Sequence, residues 1–127
     1  MAAATDPLAL ADFEAGLDGL AENDLIDEAE VDSIVREAIL HAIGDTPWAD
    51  AKVGAWSSHI IEAILKRLAN LQKPFKYVCH VSLTQRCGAG MHAASCQRYN
   101  PKTDGLLSVH WESATVLCLA TVFWCAA

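Results

Sequence analysis

At Lys73-Pro74 the hydrophobic period of this chain changes from 3.6 to 2, and that switch constrains the fold more than any other feature. Upstream, Val31, Ile34, Val35, Ala38, Ile39, Ala42 and Ile43 recur at the i, i+3, i+4, i+7 spacing of one buried helical stripe. Glu30 and Asp32 suit the first turn of that helix, and Gly44 supplies a left-handed stop. Thr46-Pro47 reads as an N-cap followed by proline at the first helical position, opening a second helix that runs to about Leu71. Its stripe is Val53, Trp56, Ile60, Ile64, Leu68 and Leu71, widened by Ile61 and Leu65, and Lys73-Pro74 ends it.

Downstream the residues alternate. From Phe75 to Gln85 the odd positions are apolar through Leu83 and the even ones mostly polar, the pattern of a half-buried strand. Leu107, Val109 and Trp111 alternate with Ser108, His110 and Glu112 after an Asp104-Gly105 turn. Val116 to Cys125 is apolar on both faces, as a strand inside a covered or shared sheet should be. Met91 to Tyr99 is weakly patterned and reads as a strand, because Pro101 and the preceding glycines leave little room for a helix. Two helices followed by strands predict an α+β fold with the helices on one face of an antiparallel sheet. The other face should carry Val78, His80, Ser82 and Thr84, and the sheet's edges need a cover or a partner.

At 127 residues the chain fits one domain. Ala, Val, Ile, Leu, Met, Phe, Trp, Cys and Gly make up 72 of its residues, above the roughly 45–50% usual for soluble domains. Twenty-two are alanines, and the rest of the excess suits apolar surface shared with a partner. The net charge of −7 is uneven: residues 1–30 hold nine acids and no base. Residues 1–29 are therefore expected to be an acidic, flexible tail, within which Leu17, Leu20, Leu25 and Ile26 could form a short amphipathic segment. The domain proper is expected over residues 30–127. A nearly neutral body argues against nucleic acid and anionic membrane as partners. Five cysteines without framework spacing suit a reducing, cytoplasmic compartment.

Three groups of residues carry chemistry that this pattern does not complete. Gly88-Ala89-Gly90-Met91-His92-Ala93 matches G-x-G-x-x-A, but a dinucleotide fingerprint needs a helix that starts there and receives the pyrophosphate. Cys79, His80, Cys87, His92 and Cys96 are zinc-type ligands, yet the first closely spaced pair of a knuckle is missing, and Cys79 and His80 on one strand face opposite ways. Cys87 or Cys96 with His92, or Ser108 or Ser113 with His110, lack an oxyanion nest and an orienting acid. No catalysis, cofactor or metal is expected, and a small nucleotide- or zinc-dependent enzyme is the remote alternative.

Several segments, in order and spacing, resemble the Tctex-type dynein light chains. They are Glu37-Ala38-Ile39 through Ala42-Ile43-Gly44, Lys52-Val53 with Trp56, Leu71 through Lys73-Pro74-Phe75-Lys76-Tyr77, Gly88 through Ser95, Thr103-Asp104-Gly105, and Val109-His110-Trp111-Glu112. The resemblance spans roughly residues 31–123. It implies two helices on a four-stranded antiparallel sheet and a dimer in which the second strand crosses to the other subunit. It further implies a non-catalytic light chain that holds dynein intermediate chains by strand addition and contributes to motor assembly and microtubule-based movement. A peptide-binding hub outside dynein is the alternative.

Under this resemblance Gly88 and Gly90 become the hinge. His92, Ala93, Ala94, Ser95, Cys96, Gln97, Arg98 and Tyr99 become the crossing edge strand, and Lys52 and Trp56 one wall of the groove. The expected setting is cytoplasm and cytoskeleton, with a ciliary or flagellar axoneme as the other. Gln97-Arg98 stand where these light chains often carry an aromatic or apolar pair, and Trp124-Cys125 are bulkier than the family pattern. Both a homodimer and a heterodimer with a related light chain therefore stay open.

Overall fold

A computed structural model describes residues 25–88, 90–96 and 100–126. Helix α1 spans Glu28–Ala42, a 3-10 turn spans Asp50–Lys52, and helix α2 spans Val53–Ala69. Strands β1, β2 and β3 span Phe75–Gln85, Gly105–Glu112 and Val116–Ala126. Most of the expected acidic tail, with Leu17 and Leu20, lies outside the described residues. Leu25 and Ile26 pack against the core, so the folded unit reaches back beyond residue 30.

Local chemistry sets the ends of α1. The Asp27 carboxylate accepts a hydrogen bond from Ala29 N at 3.0 Å, and Glu28 and Glu30 sit in the first turn, where the helix dipole favours acids. Gly44 beyond the C-terminus has φ +55°, the left-handed conformation that a Cβ resists. Helix α2 begins later than Thr46-Pro47 suggests. Residues 46–49 are not helical because Trp48 is tied elsewhere: its N–H donates to Thr115 Oγ1 at 2.9 Å and its indole packs edge-on against Trp56. The 3-10 turn then leads into Val53, with no side-chain cap at either start. The helix ends at Ala69 rather than Leu71, and Gln72 takes a positive φ of 55° before the chain turns into β1.

β3 lies between its neighbours, giving the order β1-β3-β2 with both pairings antiparallel. This is why its sequence is apolar on both faces. The register pairs Val81 with Ala120 and Val109 with Ala120, which aligns the inner faces of all three strands. Onto that face pack Val31, Ile34, Val35, Ala38 and Ile39 of α1 and Trp56, Ile60, Ile64 and Leu68 of α2, joined by Val109, Val116, Cys118, Ala120, Val122 and Trp124. Each fully buried Ile, Leu or Val contributes about 1.5–3 kcal/mol. Ile61 is half-buried beside the α2 stripe, whereas Leu65 turns to solvent.

The α+β class and the helices on one sheet face agree with the expectation. Among the described residues the sheet has three strands, and Met91–Cys96 join no ladder.

Candidate functional site

Because β1 and β2 flank β3 on opposite sides, the chain leaving β1 must cross the sheet to begin β2. The helices fill the inner face, and residues 91–95 lie over the outer one. There the crossover and the three strands enclose an open trough of about 640 Å³. Its floor comes from alternate positions: Val78, His80 and Ser82 of β1, Leu119, Thr121 and Phe123 of β3, and Ser108 and His110 of β2. Met91, His92, Ala93, Ala94 and Ser95 form its roof.

The floor is apolar with hydroxyl and imidazole insertions. Ser108 Oγ and Thr121 Oγ1 satisfy each other at 3.0 Å. Val78 is 62% exposed and Met91 54%, so large apolar surface stays in water within a single chain. The two outer strands each have one strand neighbour, which leaves one main-chain edge of β1 and one of β2 without a strand partner among the described residues.

The far end of the crossover is fixed. Asn100 N donates to Asp104 Oδ2, Lys102 N to Asn100 Oδ1, and Asp104 N to the Asn100 carbonyl, a tight turn that delivers the chain into β2. Asp104 Oδ1 also accepts from Ala126 N at 2.7 Å and so pins the end of β3 to this turn. At the near end Arg86 N donates to the Thr115 carbonyl at 2.7 Å, and Gly88 has φ +84°.

The expected site residues divide into three groups. His92, Ala93, Ala94 and Ser95 come together over the sheet, with Cys96 exposed beside them. Gln97, Arg98 and Tyr99 lie outside the described residues. Gly88 and Gly90 precede the roof segment, and a Cβ at either would meet nothing within 4 Å, so Gly88 is held to glycine by its φ and not by space. Lys52 and Trp56 do not line the trough: Lys52 is exposed at the start of α2 and Trp56 is 6% exposed in the core behind the sheet. Trp56 can support a wall only from behind.

Sequence reasoning did not single out Met91, Leu119, Thr121 or Phe123 as site residues. The two-faced apolarity of β3 was the signal for Leu119, Thr121 and Phe123, since it requires cover on both sides of the sheet.

The thiols are divided by the same alternation. Cys79 and Cys118 belong to the inner face, where burial pushes Cys79 up to about 11. Burial, with a smaller contribution from Cys79, pushes Cys118 up to about 12. Both are protonated near neutral pH and are poor nucleophiles. His80 stands on the opposite face from Cys79, and among the described residues no three His, Cys, Asp or Glu side chains gather as a metal site. Burial, and then Glu30, also raise the pKa of Tyr77, whose buried hydroxyl has no hydrogen-bond partner among the described residues.

The model of the Tctex-1 family matches residues 25–125. The chain is 37% identical over 94 residues to a Dynein light chain Tctex-type of Drosophila melanogaster, covering 74% of this chain and 85% of that one. It is 32% identical over 97 residues to a protein of the same name from Dictyostelium discoideum, with coverages of 76% and 87%. It is likewise 32% identical over 94 residues to Dynein light chain Tctex-type 3 of Canis lupus familiaris, with coverages of 74% and 81%. A match running from before α1 to the end of β3, joined to two helices on an antiparallel sheet, makes this chain a member of the Tctex-1 family.

Proposed function

We propose that this protein is a non-catalytic dynein light chain that dimerises, with itself or a related Tctex-type light chain, and binds dynein intermediate chains by strand addition. The observation that carries the reading is the crossover. Residues 91–95 lie over an open sheet face, none of the described residues between β1 and β2 enters a ladder, and one edge of β2 has no strand partner among the described residues. Connections longer than about 12–15 residues without regular structure are uncommon in compact domains and are usually functional. In the dimer His92–Tyr99 of each chain leaves its own sheet, pivots at Gly88 and Gly90, and pairs with β2 of the other. Its eight residues match the eight of Gly105–Glu112.

The exchange solves two physical problems together. It gives the crossover main chain hydrogen-bond partners, and it brings Val78, Leu119 and Phe123 out of water. The remaining edge of the exchanged strand then receives an extended peptide: main-chain bonds give affinity and alternate side-chain pockets give selectivity. Two such edges per dimer clamp two segments with avidity. The names of the relatives support the dynein assignment. Residues 30–127, together with the start of α1 and the Leu25 and Ile26 packed against the core, constitute the light-chain domain, and the working location is the cytoplasmic cytoskeleton, with the axoneme as the other setting.

Sedimentation with and without peptides spanning dynein intermediate chains tests this. A dimer that binds two peptides is expected. A monomer, or a dimer that recovers other proteins from lysate but consistently not intermediate chains, would reject the motor assignment.

A further inference from the structure

Three of the five histidines of this chain face one surface. His80 projects from β1, His110 from β2 and His92 from the crossover, all into the trough over the outer sheet face. Among the described residues, no Asp, Glu, Lys or Arg lines that trough. Its other side chains are Val78, Leu119, Phe123, Met91 and alanines, with the hydroxyls of Ser82, Ser95, Ser108 and Thr121. Histidine is the side chain whose charge ordinarily changes between pH 5 and 8. An imidazolium taken from water into such surroundings finds no carboxylate in the lining of the trough, and burying an unpaired charge is costly.

The charged and titratable groups around the three are few. Along β1, Lys76 stands on the same face beyond Val78 and opposite Cys125 of β3. Glu112 stands two residues from His110 on β2, and the Arg36 guanidinium of α1 reaches the His110 carbonyl at 3.5 Å. Cys96 follows the roof segment, and Arg98 lies outside the described residues. His80 is the most isolated of the set. Its same-face neighbours are Val78 and Ser82 along the strand and Thr121 across it.

We infer that self-association of this chain is proton-gated: two copies bury their outer sheet faces only when His80, His92 and His110 are neutral, and acidification separates them. The inference rests on the dimer reading above. A two-fold interface presents the same patch on both chains, so each dimer buries two sets of these three imidazoles. Each proton that must leave for the dimer to form changes the dissociation constant tenfold per pH unit on the acid side of the titration.

Sedimentation equilibrium of the full chain from pH 7.5 to 5.5, with far-UV circular dichroism at each pH, tests it. The dissociation constant of the wild type should rise by at least about tenfold per pH unit through the acid end with helix content unchanged, and that of H80Q/H92Q/H110Q should stay flat. His41 and His59, stacked at 6.1 Å between the helices, are present in both proteins and serve as the internal control. A wild-type dimer of constant affinity would overturn the proton gate and leave the dimer reading intact. A wild-type monomer at every pH would overturn both. A triple variant with the wild-type slope, or loss of helix content in step with dissociation, would overturn the assignment to these histidines. If the triple variant does not associate at pH 7.5, H80Q alone and proton release on wild-type association decide: at least one proton released per dimer near pH 6 supports the gate, and none overturns it.

Discussion

Trp124 lies flat against the backbone of Gly105, its partner across the β2–β3 ladder, so closely that a Cβ on Gly105 would stand 2.8 Å from Trp124 Cζ2. The glycine here is required by space and not by its φ. Replacing it with valine forces the indole out of a site where it is 6% exposed. Gly105→Val should lower stability by about 1–3 kcal/mol through overpacking, read as a reduced urea midpoint at unchanged slope. An unaltered midpoint would mean the ring has free space to move into.

Asp104 ties its own turn to the end of β3, accepting from Asn100 N, Thr103 Oγ1 and Ala126 N. Asp104→Ala leaves these donors without their acceptor at the turn where the crossover enters β2. A loss of about 2 kcal/mol is expected, with faster amide exchange at Ala126 as its local signature. Exchange at Ala126 equal to wild type would show that the bond contributes nothing.

Alkaline pH should weaken the fold through the inner-face thiols. In the unfolded chain cysteines ionise at about 8.5, whereas the fold holds Cys79 and Cys118 up to about 11 and about 12. A raised acid favours the folded state only while protonated. Their stabilising effect is therefore complete below about pH 8.5 and declines as pH rises toward the folded values, because the unfolded chain releases protons that the folded chain retains. Tyr77 acts with the same sign. Denaturation midpoints between pH 8 and 11 should fall, and Cys118→Ala should make the fall shallower even though it starts from lower stability. A midpoint independent of pH over this range would exclude the thiol contribution.

Ser95→Pro removes a backbone N–H from the segment proposed to exchange, without touching the helices or the three strands. Sedimentation should show weaker dimerisation, or titration weaker peptide binding, by about tenfold or more, since a lost main-chain bond leaves its acceptor unpaired. Circular dichroism should be unchanged. Dimer and peptide affinity both at wild-type level would place the exchanged main chain elsewhere.

Elements governed by their own periodicity were readable from the residues alone. The alternation of residues 75–85 gave β1 its bounds and its faces, and the two-sided apolarity of residues 116–125 marked β3 as interior. The start of α2 is not legible locally: Thr46-Pro47 carries a cap signature, while the backbone there answers to a distant residue, Thr115. The resemblance puts Trp56 on a groove wall with its helix, whereas its side chain turns to the core. The trough was only half legible: its β1 floor followed from alternation, whereas its β3 floor and its roof depend on strand order, which no local pattern encodes. Residues 91–96 form no strand here because they pass over the outer face of the sheet instead of along the free edge of β1 or β2.

The central place of β3 has a bearing on how the protein is made. Both β1 and β2 are synthesised before the only strand with which either pairs, and until Val116–Ala126 emerges from the ribosome they have no registered partner in the described sheet. Translation therefore delivers two helices and two strand segments without a ladder partner, and closure of the described sheet waits for β3. A nonsense codon just before residue 116 would spare both helices, β1 and β2 and yet leave neither strand its partner in the described sheet.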